Sequence, residues 1–162
     1  MIDSFNGSGS KAWESKAVED TLLEISLENP ADFEGVIEED IEVIYTSSAT
    51  ALVKGASDVL VLDLRGKHSL VDYLVVCTGS NERHVRAVAE AIFEQVRGIC
   101  GKRPTLSEGL KEGNWVLLDY GSILINVFDE TTRSFYALER LWSDAQRREF
   151  SSKMLIGVRH GS

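Results

Sequence analysis

The sequence contains few cysteines and no long apolar run, and these two absences exclude several classes of protein. Its two cysteines, Cys77 and Cys100, end a predicted strand and a predicted helix. That placement favours small core residues over a disulfide or a metal pair. No apolar stretch is long enough to span a bilayer. The N-terminus is acidic and has no basic, apolar leader, so we expect no secretory signal, no membrane association and a cytoplasmic location.

The sequence also lacks the basic stripe that nucleic-acid-binding proteins usually carry. Its net charge is −9, and this charge is unevenly distributed. Residues 1–57 contain twelve acidic residues and three lysines, whereas residues 58–162 contain fourteen acidic and fourteen basic residues. If the protein approaches RNA, we therefore expect the contact to pass through a basic protein partner or a local basic patch.

The chain divides by composition into three parts. Residues 1–36 form an acidic N-terminal extension, which we expect to be partly disordered because its start is polar and rich in glycine and serine. Within it, residues 11–28 fit both a strand and a helix pattern. Residues 37–145 have the length and the apolar patterns of one domain. Residues 146–162 are predicted to form a C-terminal tail.

The domain alternates between helical and strand patterns. A helix is predicted over residues 38–54. Residues 59–64 and 70–77 are rich in Val and Leu, and the short turn between them leaves room only for an antiparallel strand pair. A second helix over residues 81–100 follows, and then an edge strand and a hairpin. The last helix begins near residue 130 and is predicted to place four side chains on one apolar face: Phe135, Leu138, Trp142 and Ala145.

This order predicts an α+β fold with one mixed five-stranded sheet and helices mainly on one face. In the hairpin, Trp115, Leu117 and Asp119 alternate with Val116, Leu118 and Tyr120, so the two sets point to opposite faces. Three helices can hardly cover both faces of such a sheet. The uncovered face would present large apolar groups to water, which usually marks a protein interface. Taken singly, each of these side chains is more often a core residue.

Four segments of the domain resemble one known family. They are V-L-D-L-R-G-K-H-S-L-V-D-Y (61–73), C-T-G-S-N-E-R-H-V-R-A (77–87), W-V-L-L-D-Y-G (115–121) and V-F-D-E-T-T-R-S-F-Y-A-L-E-R-L-W (127–142). In this order and spacing they are similar to the ribosomal silencing factor family, also called Iojap-like proteins. The resemblance extends from about residue 42 to residue 145 and leaves out the acidic extension.

The resemblance implies a nucleotidyltransferase-like fold that works without catalysis, cofactor or metal. It implies binding to the large ribosomal subunit through ribosomal protein L-fourteen, which blocks joining of the small subunit and represses translation. The W-V-L-L-D-Y motif then places the partner contacts at Trp115, Leu117, Asp119 and Tyr120.

The R-H-V-R motif suggests a second contact, to the partner or to adjacent ribosomal RNA, by Arg83, His84 and Arg86. An equally weighted alternative is that these residues solvate the helix and that His84 makes a hydrogen bond within the fold.

Two alternatives remain open. Gly79-Ser80 before a helix resembles the phosphate loop of nucleotidyltransferases, and Asp63 and Asp72 could hold a metal beside a nucleotide. The hairpin offers no Asp-x-Asp or Asp-x-Glu pair, which weakens this interpretation. The other alternative is a homodimer that uses the same uncovered face.

Overall fold

The computed structural model of the chain describes residues 12–28 and 34–151. Its helices are α1 (Ala12–Glu28), α2 (Glu38–Val53), α3 (Glu82–Gln95), α4 (Glu130–Tyr136) and α5 (Leu138–Leu141). Its strands are β1 (Ser57–Asp63), β2 (Tyr73–Gly79), β3 (Leu106–Glu108), β4 (Trp115–Asp119), β5 (Ile123–Asp129) and β6 (Gln146–Phe150). A π-helical turn, Val96–Cys100, continues α3. None of these helices is both long and apolar enough to cross a membrane.

The six strands form one mixed sheet in the order β3-β4-β5-β2-β1-β6. β2 and β5 are parallel, and the other neighbouring strands are antiparallel. The predicted α+β class with a mixed sheet is confirmed, although the predicted count of five strands is one too low. The additional strand is β6, whose residues the sequence pattern had assigned to the C-terminal tail.

β6 pairs antiparallel with β1 at the edge of the sheet, and one buried arginine connects it to the helices. Arg148 lies opposite Val61 of β1, and its guanidinium donates to the Tyr45 hydroxyl at 3.1 Å and to the Ile25 carbonyl at 3.4 Å. The same guanidinium lies 5.5 Å from the ring centroid of Tyr45 and 4.8 Å from that of Phe150. These contacts connect β6 to α1 and α2, so this strand belongs to the folded domain.

The first face of the sheet carries the main core, beneath α1, α2 and α3. Of the two patterns that residues 11–28 fit, the structure shows the helix, α1. Val18, Leu22 and Ile25 lie on one side of α1 and pack against this core. The expectation of partial disorder in residues 1–36 rests on the polar start of the chain, residues 1–10, which lies outside the described residues.

Both cysteines belong to this side of the molecule, and both are free thiols. Cys77 is fully buried, and burial raises the pKa of its thiol to about 12. Cys100 is half-buried, and its thiol donates to the Thr46 hydroxyl at 3.5 Å. These positions fit the prediction that the cysteines pack as small core residues.

The second face carries a smaller apolar cluster, which packs with α4, α5 and the turn that follows them. Its buried members come mostly from β1, β2 and β5, namely Leu60, Leu62, Leu64, Leu74, Val76, Phe128 and Ala145. The predicted last helix is interrupted at Ala137, whose φ is +46°. For this reason Phe135 does not share a buried face with Leu138 and Trp142, and it is 79% exposed.

Candidate functional site: an open sheet face with exposed aromatic residues

The second face is left uncovered on the side of β3 and β4. Register places Leu106 of β3 beside Asp119 of β4, and Asp119 beside Leu124 of β5, so all three point to this face. We define the open face as the sheet residues Leu106, Trp115, Leu117, Asp119 and Leu124 together with Phe135 and Tyr136 of α4. Each of these residues is exposed or half-buried. Such a run of large apolar groups at the surface is unusual for a monomer and indicates an interaction site.

Four aromatic rings extend from the sheet to α4. Trp115 packs on Phe128 with ring centroids 4.8 Å apart. Tyr136 lies 4.6 Å from Trp115 on the outer side, and Phe135 lies 5.1 Å from Tyr136. Only Phe128 is buried, whereas Tyr136 is 48% exposed. The aromatic surface therefore begins in the core and ends in water.

Arg133 fixes α4 in the position that presents Phe135 and Tyr136. Its Nη1 donates to the Asp58 carbonyl at 2.6 Å and to the Thr78 hydroxyl at 2.7 Å. Asp129 caps the start of the helix by accepting from the Thr132 amide at 2.8 Å. A helix of seven residues is unstable alone, so these contacts hold it against the sheet.

The sheet part of the open face carries negative charge only. The charged side chains that β3, β4 and β5 point to this face are Glu108, opposite Leu117, and Asp119, opposite Leu106. Asp119 also accepts from the Gly121 amide at 2.8 Å, which fixes the turn between β4 and β5. An apolar surface with two carboxylates suits a partner that is apolar at the contact and basic around it.

The structure separates Tyr120 from the other residues of the W-V-L-L-D-Y motif. Trp115, Leu117 and Asp119 lie together on the open face, whereas Tyr120 packs against the main core on the opposite face. Its hydroxyl is buried without a hydrogen-bond partner among the described residues. Burial raises the pKa of Tyr120 above its ordinary range. Alternation along β4 predicts this separation, although the motif alone groups the four residues.

The three basic residues of the R-H-V-R motif have different surroundings. Arg83 is exposed and has no bonded partner in the described part of the chain; it borders a shallow cleft of about 540 Å³ between the starts of α3 and α4. His84 connects two backbone segments: its Nε2 donates to the Lys54 carbonyl at 2.7 Å, and its Nδ1 accepts from the Ser80 amide at 2.9 Å. A carbonyl can only accept, which places the imidazole proton on Nε2.

Arg86 holds the loop that leads into β4. Its guanidinium donates to the carbonyls of Leu110 at 2.8 Å, Lys111 at 2.7 Å and Glu112 at 3.2 Å. It also lies against Gly113, where a Cβ atom would come within 2.9 Å of the guanidinium carbon. Of the two interpretations of this motif, hydrogen bonding within the fold therefore describes His84 and Arg86, and Arg83 is left available.

The residues proposed for a nucleotide site do not come together. Asp63 pairs with Tyr73 at one end of β2, while Gly79 ends the same strand. Six residues of strand separate these ends by about 20 Å. Asp63 is bound by Arg65 through both carboxylate oxygens, at 3.0 and 2.7 Å. The alternative that combined Asp63, Asp72 and Gly79-Ser80 in one site is therefore wrong.

The start of α3 also has its own explanation in packing. A Cβ atom on Gly79 would lie 2.8 Å from the amide nitrogen of Val85, so glycine allows the helix to approach the strand end. The amides of Ser80 and His84 are bonded to side chains of the chain itself. Within residues 12–28 and 34–151, no group of three or more His, Cys, Asp or Glu side chains is arranged to hold a metal.

The sequence pattern missed several members of the open face, namely Leu106, Leu124, Phe135 and Tyr136. Leu106 was assigned to an edge strand without a role. Phe135 and Tyr136 form the F-Y pair of the fourth family-like segment. Two adjacent aromatic residues at the end of a short helix were the sequence signal that could have identified them as exposed contact residues. The interruption at Ala137, which exposes the pair, has no clear signature in the sequence.

Comparisons with known proteins agree with this fold. Residues 38–159 match the family model described as "Ribosomal silencing factor during starvation". The ribosomal silencing factor of Bacillus subtilis is 37% identical over 105 residues, covering 64% of this chain and 86% of that protein. A mouse protein named "Mitochondrial assembly of ribosomal large subunit protein 1" is 28% identical over 92 residues, covering 56% of this chain and 40% of that protein.

A solved structure is also similar to this chain in fold and sequence. The crystal structure of a Chromobacterium violaceum protein has a TM-score of 0.58 and 31% identity, covering 64% of this chain and 86% of that one. The family match includes β3, β4, β5 and α4, which build the open face. The chain therefore belongs to the ribosomal silencing factor family.

Proposed function

We propose that this protein is a translational repressor that binds the large ribosomal subunit and blocks joining of the small subunit. The partner on the large subunit is ribosomal protein L-fourteen, and the action takes place in the cytoplasm without catalysis. The observation that carries the proposal is the exposed aromatic run of Trp115, Tyr136 and Phe135 beside Leu117 on the open face. The family name supports a role at the ribosome, and the name of the mouse relative supports a role at the large subunit.

The open face has the composition of a binding surface. Phe135 is 79% exposed and Tyr136 is 48% exposed, and burying such a side chain contributes about 1.5–3 kcal/mol. Aromatic side chains at the centre of a contact usually dominate its binding energy. We therefore assign the main contacts to Trp115, Tyr136 and Phe135, with Leu117 completing the apolar area.

The negative charges on the open face indicate which kind of partner fits it. Glu108 and Asp119 flank the apolar part of the open face, so a partner with lysine or arginine around its contact area is favoured and bare RNA is disfavoured. Ribosomal proteins that contact RNA carry such basic residues. We assign Arg83, exposed at the start of α3, to adjacent ribosomal RNA phosphate.

The mechanism is steric exclusion. α1, α2 and α3 cover the face of the sheet opposite to the open face. When the open face is docked, these helices project away from the partner into the space that the other subunit must enter. The acidic α1 is then also held away from the RNA of the bound subunit, which limits electrostatic repulsion during docking.

Co-sedimentation with isolated large ribosomal subunits tests the proposal. We expect the wild-type protein to sediment with the subunit and to reduce the yield of joined ribosomes when small subunits are added. Trp115→Ala should weaken binding about thirtyfold or more, as is typical of a central aromatic contact. Leu23→Ala is the matched control, because Leu23 is an apolar residue on α1 with 61% exposure and lies on the other side of the molecule.

The possible results separate the parts of the proposal. Equal loss of binding by the folded Trp115→Ala and Leu23→Ala variants would contradict the assignment of the open face. Binding without any effect on subunit joining would contradict the steric mechanism. A homodimer formed through the open face would appear in sedimentation equilibrium as a dimer that large subunits dissociate.

A further inference from the structure

A buried asparagine lies directly behind the open face. Asn126 is in the middle of β5 and is 1% exposed. Its Nδ2 donates to the carbonyls of Leu124 at 3.2 Å and Val75 at 3.4 Å. Its Oδ1 accepts from the indole Nε1 of Trp115 at 3.1 Å. A buried amide destabilises a fold unless its polar atoms are bonded. Among residues 12–28 and 34–151, the side-chain partner of this amide is Trp115.

The two carbonyls determine which way this amide points. A carbonyl can only accept, so the NH₂ group of Asn126 must face Leu124 and Val75. Its oxygen is then turned towards β4, where the Trp115 N–H donates to it. The orientation of the amide is thus set by the backbone of two strands, and the amide in turn sets the orientation of the indole.

The other sides of the indole are fixed by aromatic rings. Phe128 lies behind Trp115 with an interplanar angle of 33°, and Tyr136 lies in front of it with an angle of 51°. With its N–H turned inward to Asn126, the indole offers a partner only apolar ring atoms. An indole rotated about its side-chain torsions would present an unpaired donor to an apolar contact.

We infer that Asn126 is a positioning residue for partner binding, which acts by holding the Trp115 indole in its binding orientation. The inference rests on the proposed function, since it concerns how the open face is prepared for its partner. A contact side chain that is already ordered in the free protein loses less conformational entropy on binding. It also brings no unpaired N–H into the contact.

The first test observes the indole without any partner. The chain has three tryptophans, and the Trp115 Nε1–H signal in a proton–nitrogen NMR spectrum is identified by its absence in Trp115→Phe. In Asn126→Leu, which keeps the number and branching of the side-chain heavy atoms and removes the acceptor, we expect this signal to shift and its hydrogen exchange to accelerate at least tenfold. The Trp142 signal serves as the internal reference. An unchanged Trp115 signal would overturn the inference.

The second test measures coupling in binding to large ribosomal subunits. We expect Asn126→Leu and Trp115→Phe each to weaken binding about five- to tenfold, since each removes the same hydrogen bond. The double variant should bind as Trp115→Phe alone does. Val127→Ala is the stability control: Val127 neighbours Asn126 but is buried in the opposite face, so it should lower the unfolding midpoint without changing affinity.

Each result has a definite consequence. Multiplied losses in the double variant, or Asn126→Leu affinity within twofold of wild type, would overturn the inference while the proposed function stands. Failure of the wild type to bind would overturn both. If Asn126→Leu does not fold, Asn126→Val replaces it. Wild-type affinity in Trp115→Phe would also overturn the inference, because that variant lacks the hydrogen bond.

Discussion

At the scale of single residues, the ion pair between Asp63 and Arg65 explains an acidic side chain that the sequence offered as a metal ligand. Asp63 has 10% side-chain exposure and Arg65 has 33%. Burial alone would raise the pKa of Asp63, but hydrogen bonds and the charge of Arg65 outweigh burial and hold the pKa below its ordinary value of 3.8. A carboxylate bonded in this way serves the end of β1 and is not free to bind a metal.

The first prediction concerns this pair. Because folding lowers the Asp63 pKa, the pair stabilises the fold above the unfolded-state pKa, and that stability is lost as the pH falls through the lower folded-state pKa. We expect Asp63→Asn to reduce the free energy of unfolding by about 1–2 kcal/mol at pH 7, allowing for the partial exposure of Arg65. The difference from wild type should shrink as the pH falls below the ordinary pKa of 3.8.

Urea unfolding at pH 7 and at a series of pH values below about 4 measures this effect, with Asp72→Asn as the control. Asp72 is an exposed neighbour of the pair, so its neutralisation should change stability by less than about 0.5 kcal/mol. A difference between Asp63→Asn and wild type that stays constant through that series would contradict the assignment of the effect to ionisation.

At the scale of elements, Arg86 connects α3 to the loop before β4. The second prediction is that Arg86→Met lowers the free energy of unfolding by about 1–2 kcal/mol, because three carbonyls lose their donor and water replaces it only in part. Arg83→Met is the matched control on the same helix and should stay within about 0.5 kcal/mol of wild type. Thermal unfolding of both variants measures this difference. Equal losses of stability in the two variants would show that the Arg86 hydrogen bonds do not stabilise the fold.

The third prediction concerns β6. A chain that ends at Ala145 lacks this strand and so loses the Arg148 contacts and the buried Phe150. We expect it to be destabilised by about 3 kcal/mol or more, as for deletion of a buried aromatic group. A chain that ends at Ser151 retains β6 and should be more stable than the shorter chain by that amount. Equal urea midpoints for the two truncated chains would show that residues 146–150 do not stabilise the domain, and the prediction would be wrong.

The elements also show how far sequence reasoning reaches. Alternation in β4 correctly placed Trp115 and Leu117 on one face and Tyr120 on the other, because a strand fixes its side-chain directions locally. β6 was missed because its outward residues Arg147 and Glu149 are charged, and because the burial of Arg148 depends on tertiary contacts that include α1 and α2. Such a strand has no apolar alternation, and only tertiary contacts reveal it.

The site shows the same limit. The family-like motifs identified the right strand for the open face but grouped residues that the fold then separates. His84 and Arg86 look like free basic residues in sequence, and they are bonded to backbone segments that lie 30 and about 25 positions away along the chain. Contacts at such separations depend on the completed fold, so sequence could only leave the two interpretations of this motif open.

At the scale of the whole molecule, the sheet separates two surfaces of different character. One side is covered by α1, α2 and α3 and carries the exposed acidic residues Glu19, Glu24, Glu38 and Glu39. The other side carries the open face, with its aromatic rings and two carboxylates. A protein in the position that we propose would meet a basic protein with one side and present negative charge on the other.

The fourth prediction follows from this separation. Glu19→Gln with Glu24→Gln should change affinity for the large subunit by less than about twofold, because these charges lie behind the sheet and are screened beyond about 8 Å at physiological salt. Asp119→Asn should weaken binding about fivefold at 0.05 M salt and less at 0.3 M, as expected for a charge at the rim of a contact. It keeps the oxygen that accepts from Gly121, so the turn is preserved.

Binding curves for both variants at the two salt concentrations test this prediction. If removing the α1 charges strengthens binding more than removing the Asp119 charge weakens it, the acidic helix must face the ribosome, and the orientation that we propose is wrong.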